Sequence, residues 1–151
     1  MAHMDDTLYL GKRSEYYYVY KNNSNNNGII MIASCSFETF CNGRCDTIYI
    51  SRLLVDTNYR NRGIGTKLLY EVLFDAYTHD SLKHAILTDI SDMYRRSNNI
   101  YTKMGFSYKR KDHDYHAMIG NLRHILFGKR SRMNAYTQYN IFTNKCEQMN
   151  K

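Results

Sequence analysis

The 151-residue chain contains no proline and no tryptophan, and its four cysteines form no CxxC pair and have no histidine at zinc-finger spacing. Reduced, intracellular thiols follow as the favoured reading. The stretch CNGRC does set Cys41 and Cys45 across an Asn42-Gly43 turn. That spacing is compatible with a cross-strand disulfide or half a metal site, but two ordinary thiols are the simpler reading, and no metal is expected. Also missing is any apolar run near the roughly 20 residues that a membrane-spanning helix requires. The opening MAHM lacks the basic and apolar regions of a signal peptide and looks like a cloning remnant ahead of Met4. A cytoplasmic protein with no membrane partner is expected.

Neither a repeat nor a true linker is present, so the length points to one compact core. The abundance of Asn, Tyr, Lys and Ile beside the missing Pro and Trp is what an AT-rich coding sequence gives. Acidic residues are outnumbered, with 14 Asp+Glu against 21 Lys+Arg, for a formal charge of +7. That balance favours anionic partners, whether nucleic acid, a phosphate-bearing cofactor or an acidic protein surface.

Periodicity supplies the elements. Strands are expected at about 7–10 and 15–21, the second with Tyr16, Tyr18 and Tyr20 on one face and Tyr17 and Val19 on the other. The polar turn NNSNNNG then leads into a buried strand, IIMIASCSF, and the NGR turn into a long β-branched strand, CDTIYISRLLVD. From Ile64 the apolar residues Leu68, Leu69, Val72, Leu73, Ala76 and Tyr77 form one stripe of a helix over about 63–77. HAILTDIS reads as a buried strand, RRSNNIYTKM as a short helix stopped by Gly105, and FSYKRK with DYHAMIG as a closing strand pair. Such an order makes an α/β or α+β sheet.

The segment DTNYRNRGIGTKLLYEVL, residues 56–73, carries the chemistry. Glycines at a helix start leave main-chain N–H groups open beside the positive end of the helix dipole, which suits an anion such as phosphate. Arg60 and Arg62 would reinforce it. A turn that merely needs unusual backbone angles is the alternative. GxxxxGK[ST] fails because Arg60 stands five residues before Gly65 and Lys67 follows Thr66 in the wrong order; GxGxxG fails because Leu68 replaces the third glycine.

The pattern that fits is (R/Q)xxGxG/A, met by Arg60-Asn61-Arg62-Gly63-Ile64-Gly65 between a strand and an amphipathic helix. It resembles motif A of the GNAT superfamily, the acyl-CoA-dependent N-acetyltransferases. A second stretch, IYTKMGF at 100–106, is similar to that family's closing motif of a Tyr followed by Gly-Phe, although Tyr94 stands where an Asn is common.

The resemblance, over about residues 47–119, implies a mixed, mostly antiparallel central sheet with flanking helices. It also implies an acetyltransferase domain at 4–120, followed by a basic extension at 121–151 that packs on it or trails from it. It implies acetyl-CoA as acyl donor, an amine acceptor and a cytoplasmic transferase. Arg60, Arg62, Gly63, Ile64, Gly65 and Thr66 would bind the pyrophosphate, the Leu54 and Val55 backbone the pantetheine arm, and Asn98 or Asn99 a further part of the cofactor. Tyr101 matches the general acid, since a phenol of pKa about 10 is protonated at neutral pH; a core tyrosine is its plain alternative.

Two departures stand out. No carboxylate lies between Asp46 and Asp56, where many members carry a Glu. Tyr49 falls where some N-terminal acetyltransferases of the family relay the amine proton through water, and Thr88 and Asp89 lie near the position of their second catalytic group. A weak base suits an α-amine of pKa about 7.7–8.0, which costs only ~1 kcal/mol to free at pH 7, against over ~4 for a lysine of pKa about 10.4. A protein or peptide N-terminus is therefore favoured, with a lysine or small amine behind it, and a polyamine-type pocket disfavoured because carboxylates are scarce in the sequence beside the expected site.

The second departure is GKRSE, which leaves no room for the helices that usually wall the acceptor site, so a shortened N-terminal helical region is expected. The tail, with Leu122, Ile125, Leu126 and Phe127, could replace that wall, or a homodimer could complete it. Its cluster Arg123, Lys129, Arg130 and Arg132 suits an acidic substrate or RNA, with a solvated basic face favoured. His113 and His116 are read as surface residues rather than ligands. The competing functions are an inactive GNAT-like module that binds acyl-CoA or a partner, and a basic nucleic-acid binder.

Overall fold

The computed structural model describes residues 7–40, 46–88, 99–108, 117–128 and 131. Seven strands form one sheet: β1 Tyr9–Lys12, β2 Tyr16–Asn22, β3 Ile29–Phe40, β4 Thr47–Val55, β5 His84–Thr88, β6 Ser107–Tyr108 and β7 Ala117–Asn121, in the spatial order β1-β2-β3-β4-β5-β7-β6. Every pairing is antiparallel except that of β4 with β5. A parallel pair needs a crossover connection, and helix α1, Ile64–Thr78, supplies it. The mostly antiparallel mixed sheet expected from the sequence is thus present.

Strand alternation decides what each face carries. Tyr16, Tyr18 and Tyr20 share the face away from α1, their rings 5.7 and 5.5 Å apart in sequence, and Tyr9 stacks on Tyr20 at 5.5 Å. Tyr17 points the other way, meeting Phe37 edge-on at 5.3 Å and donating a hydrogen bond to Asp75 of α1. The division anticipated from the alternating tyrosines is the one observed.

On the α1 face, Ile48 and Ile50 of β4, Ala85 and Leu87 of β5 and Met118 of β7 are buried beneath the helix stripe of Leu68, Leu69, Val72, Leu73 and Ala76. Each large aliphatic side chain so buried contributes about 1.5–3 kcal/mol. Lys67 is also buried on this helix, and Glu71 one turn on accepts its ammonium.

Between β1 and β2 only residues 13–15 intervene, closed by Arg13 N–H donating to the Tyr16 carbonyl at 2.9 Å. No helix stands there, in agreement with the short GKRSE.

The start of the tail packs against the sheet, as its apolar residues suggested. Helix α3, Leu122–Phe127, places Leu122, Ile125 and Leu126 in the same core, while Phe127 meets Phe74 and Tyr77 of α1 at 6.4 and 5.7 Å. Its apolar stripe therefore covers the α1 side of the sheet. Lys129, Arg130, Arg132, His113, His116, Cys41, Cys45 and Cys146 lie outside the described residues. Among the described residues the free cysteine is Cys35, whose burial pushes its thiol pKa up to about 12.

Candidate active site

The site begins where β4 leaves β5. Their parallel pairing runs from Thr47↔His84 to Ile50↔Leu87 and stops, while β4 continues to pair with β3 as far as Val55↔Ala33. Among the described residues, Ser51 to Val55 therefore pair with no strand on the β5 side. A bulge accompanies the parting, because Ser36 faces Arg52 and Phe37 faces Ile50, leaving Ser51 unmatched.

Beyond Val55 the chain makes a single 3-10 turn over Thr57–Tyr59, capped by Asp56 accepting from the Asn58 N–H at 2.9 Å. Arg60 folds back, its Nε donating to the Val55 carbonyl at 3.2 Å, and Arg62 lies over the Tyr59 ring at 5.1 Å. Two left-handed residues then redirect the backbone: Asn61 at φ 64° and Gly63 at φ 79°, the helix cap. A side chain at the second position would be strained.

Gly65 serves another purpose. It is helical, and a Cβ there would fall 2.9 Å from Val55 Cγ2, so its bareness lets α1 sit close against β4. Ile64 and Thr66 are buried, at 2% and 4% exposed. The first intrahelical bond is that of the Lys67 N–H to the Gly63 carbonyl at 2.9 Å. The N–H groups of Ile64, Gly65 and Thr66 precede it and have no intrahelical acceptor.

Strand edge and helix start together wall a cleft of about 370 Å³, lined by Leu53, Leu54, Val55, Tyr59, Arg60, Asn61, Gly63, Ile64, Gly65, Thr66 and Ile100. Of the residues singled out from the sequence, Leu54, Val55, Arg60, Gly63, Ile64, Gly65 and Thr66 come together here. Arg62 sits beside them on Tyr59. Asn98 and Asp89 lie outside the described residues.

Helix α2, Ile100–Met104, closes the other side through Ile100, and the residue after it is Tyr101. Asn99 holds this helix in place and is only 1% exposed. Its Oδ1 accepts from the N–H groups of Tyr101 and Thr102 at 2.8 and 3.3 Å, and its Nδ2 donates to the Tyr108 hydroxyl at 3.3 Å. Asn99 is thus a buried helix cap that positions Tyr101, in the segment where the sequence suggested a contact to the cofactor. Gly105, at φ 117°, ends the helix as expected, and Tyr101 packs edge-on to Phe106 at 6.3 Å.

Tyr49 belongs to the last turn of paired β4, opposite Ile86 of β5 and Glu38 of β3, just before the strands part. Thr88 pairs with Ala117 on β7. Glu38 escaped the sequence analysis, since its place beside Tyr49 depends on the register of two strands joined by a turn.

A family model described as an acetyltransferase (GNAT) domain matches residues 13–108, more than half of the chain. The protein belongs to the GNAT family.

Solved structures agree on the GNAT fold. A chain of the NatC complex bound to Gag peptide and CoA has a TM-score of 0.54 at 23% identity, covering 70% of each chain. The KacTA–DNA complex gives 0.56 at 13% identity, over 84% of this chain and 76% of that one. PaiA N-acetyltransferase from Thermoplasma acidophilum, in complex with coenzyme A, gives 0.51 at 16% identity, over 70% of this chain and 59% of that one. Among curated proteins no sequence relative matches. No helix among the described residues is long and apolar enough to cross a membrane.

Proposed function

We propose that this GNAT domain transfers an acetyl group from acetyl-CoA directly to a primary amine. The observation that carries the reading is the junction of an open strand edge, Ser51 to Val55, with an anion-ready helix start at Gly63–Thr66 in one cleft. Successive amides of the first turn suit a pyrophosphate, and Arg60 and Arg62 add positive charge without filling the cradle. The exposed main chain of Leu54 and Val55 suits the amide-bearing pantetheine arm, which would lie beside it as another strand does. Complexes with CoA among proteins of this fold support the same donor.

Acetyl-CoA supplies an activated acyl carbon and a thiolate leaving group. The residues of this chain then divide the remaining work. Tyr101, set by the Asn99 cap, donates a proton to the departing sulfur. Tyr49, near the parting of β4 and β5, takes part in removing the amine proton. The C–S bond breaks as the N–C bond forms, and the amine gives up one proton as the thiolate gains one.

Thermal unfolding with and without acetyl-CoA tests the reading. Stabilisation at 100 times the dissociation constant is about 2.7 kcal/mol. Gly63→Asp places a strained side chain and a negative charge in the cradle and is expected to abolish the shift. If the wild type itself does not shift, the chain keeps the fold without the donor site, and the binding-module alternative takes precedence.

A further inference from the structure

Strand β4 has no carboxylate between Asp46 and Asp56, so an acidic group beside the reacting amine must come from another element. The register supplies one. Glu38 of β3 stands directly opposite Tyr49 of β4. Side chains of such a pair share a sheet face with their Cβ atoms about 4.5–5.5 Å apart. The face is the one away from α1, since Ile48 and Ile50, which alternate with Tyr49, are buried on the α1 side.

Two residues beyond Tyr49 comes Ser51, the unmatched residue of the bulge. It lines a second cleft, of about 540 Å³, together with Tyr16, Ser36, Glu15 and Glu38. The donor cleft takes up β4 again at Leu53. The two clefts thus border the same strand, with Arg52, which lines neither, between them. Among the described residues, no lysine, arginine or histidine lines the second cleft, although the chain carries a formal charge of +7. Its ionisable lining is Glu15, Glu38 and Tyr16, a local reversal of charge beside the acyl site.

We infer that this second cleft receives the acceptor, that Glu38 contacts the reacting amine and takes its proton, and that Glu15 holds a second positive charge, making the acceptor a small dicationic amine. The inference rests on the acetyl-transfer reading above. The reacting ammonium first gives one proton to the Glu38 carboxylate, which passes it to solvent; the freed nitrogen then bonds to the acyl carbon as the C–S bond breaks, the thiolate takes the Tyr101 proton, and the second amine proton, relayed through Glu38 and water, restores the Tyr101 hydroxyl. Glu38 fills the place that the β4 sequence leaves vacant. The acidic groups that look scarce along the sequence converge here because the β1–β2 turn and β3 adjoin.

The test measures CoA thiol release from acetyl-CoA with 1,4-diaminobutane and with n-butylamine as probes, alongside thermal unfolding with acetyl-CoA. The wild type is expected to favour the diamine by at least tenfold in kcat/KM. Glu38→Gln should lower kcat at least tenfold, Glu38→Asp should recover part of it, and Glu15→Gln should raise KM for the diamine until the preference is lost. Both Gln variants, made at exposed positions, should keep the acetyl-CoA thermal shift. Equal use of the two probes, wild-type kinetics in Glu38→Gln, or turnover of neither probe by a protein that acetyl-CoA stabilises would each overturn the inference. Absence of the acetyl-CoA shift in the wild type would instead remove the acetyl-transfer reading on which it rests.

Discussion

Val55 Cγ2 stands 2.9 Å from the point that a Cβ on Gly65 would occupy, so β4 and α1 approach as closely as the glycine permits. Gly65→Ala is expected to push the helix outward, at a cost of about 1–3 kcal/mol, read from chemical denaturation. The same displacement moves the first-turn amides away from the strand edge, so stabilisation by acetyl-CoA should fall as well. Gly63→Asn makes the contrasting case, because asparagine tolerates the left-handed conformation. Unchanged stability and ligand response in Gly65→Ala would show that the contact does not set the spacing.

Tyr101→Phe removes the hydroxyl and keeps the ring that packs on Phe106. Turnover at saturating acetyl-CoA should drop by about 10²–10⁴-fold, the usual contribution of a positioned acid, while the acetyl-CoA thermal shift persists. Turnover at the wild-type rate would take Tyr101 out of the chemistry.

Asn99 tests positioning apart from chemistry. Asn99→Ala loses the α2 cap, about 1 kcal/mol of stability, and lets Tyr101 wander, so kcat should fall with little change in acetyl-CoA affinity. Asn99→Asp retains an acceptor for the Tyr101 N–H and should recover part of kcat. Equal rates for the two variants would separate the cap from the reaction.

Asp75 accepts from Lys12 Nζ at 2.7 Å and from Tyr17 Oη at 2.8 Å, tying the β1–β2 hairpin to α1. Burial first, and then the Asp75 carboxylate as hydrogen-bond partner and as charge, raise the pKa of Tyr17 well above the ordinary tyrosine value. The folded chain therefore holds this proton longer than the unfolded one. Stability from the group is fully present below about pH 10 and is lost as pH rises beyond it. Urea midpoints between pH 8 and 11 should fall more gently in Tyr17→Phe than in the wild type. Parallel curves would assign the loss to other groups.

Much of the scaffold was legible in the sequence because it is local. The alternation of Tyr16 to Tyr20 fixed two faces, the stripe from Ile64 to Tyr77 matched α1, and Gly105 ended α2. The unread parts are those set by register. Nothing in TIYISRLLV announces that Ser51 is left over opposite the Ser36–Phe37 step, nor that Glu38 meets Tyr49; both follow from how two strands align across a turn. Gly65 was legible as a required glycine, yet its partner, Val55, belongs to the preceding strand. Asn99 carried the right identity for a cap, but that it caps α2 by accepting from the Tyr101 and Thr102 N–H groups shows only in the fold. The apolar residues of α3 were recognised as packing residues, while the side of the sheet they cover depends on the path of the chain out of β7.

The parting of β4 from β5 has a consequence for how such a protein diverges. A donor groove of the proposed kind, made from the β5-side edge of residues 51–55 and the amides of a helix start, asks little of side chains: Leu54 is 46% exposed and could become many other residues without altering a carbonyl or an amide. Two glycines and a strand separation preserve the groove while almost everything around it changes. On the proposed reading, selection then acts on the side chains that meet the acceptor, so one inherited backbone can be fitted to new substrates without its donor chemistry being rebuilt.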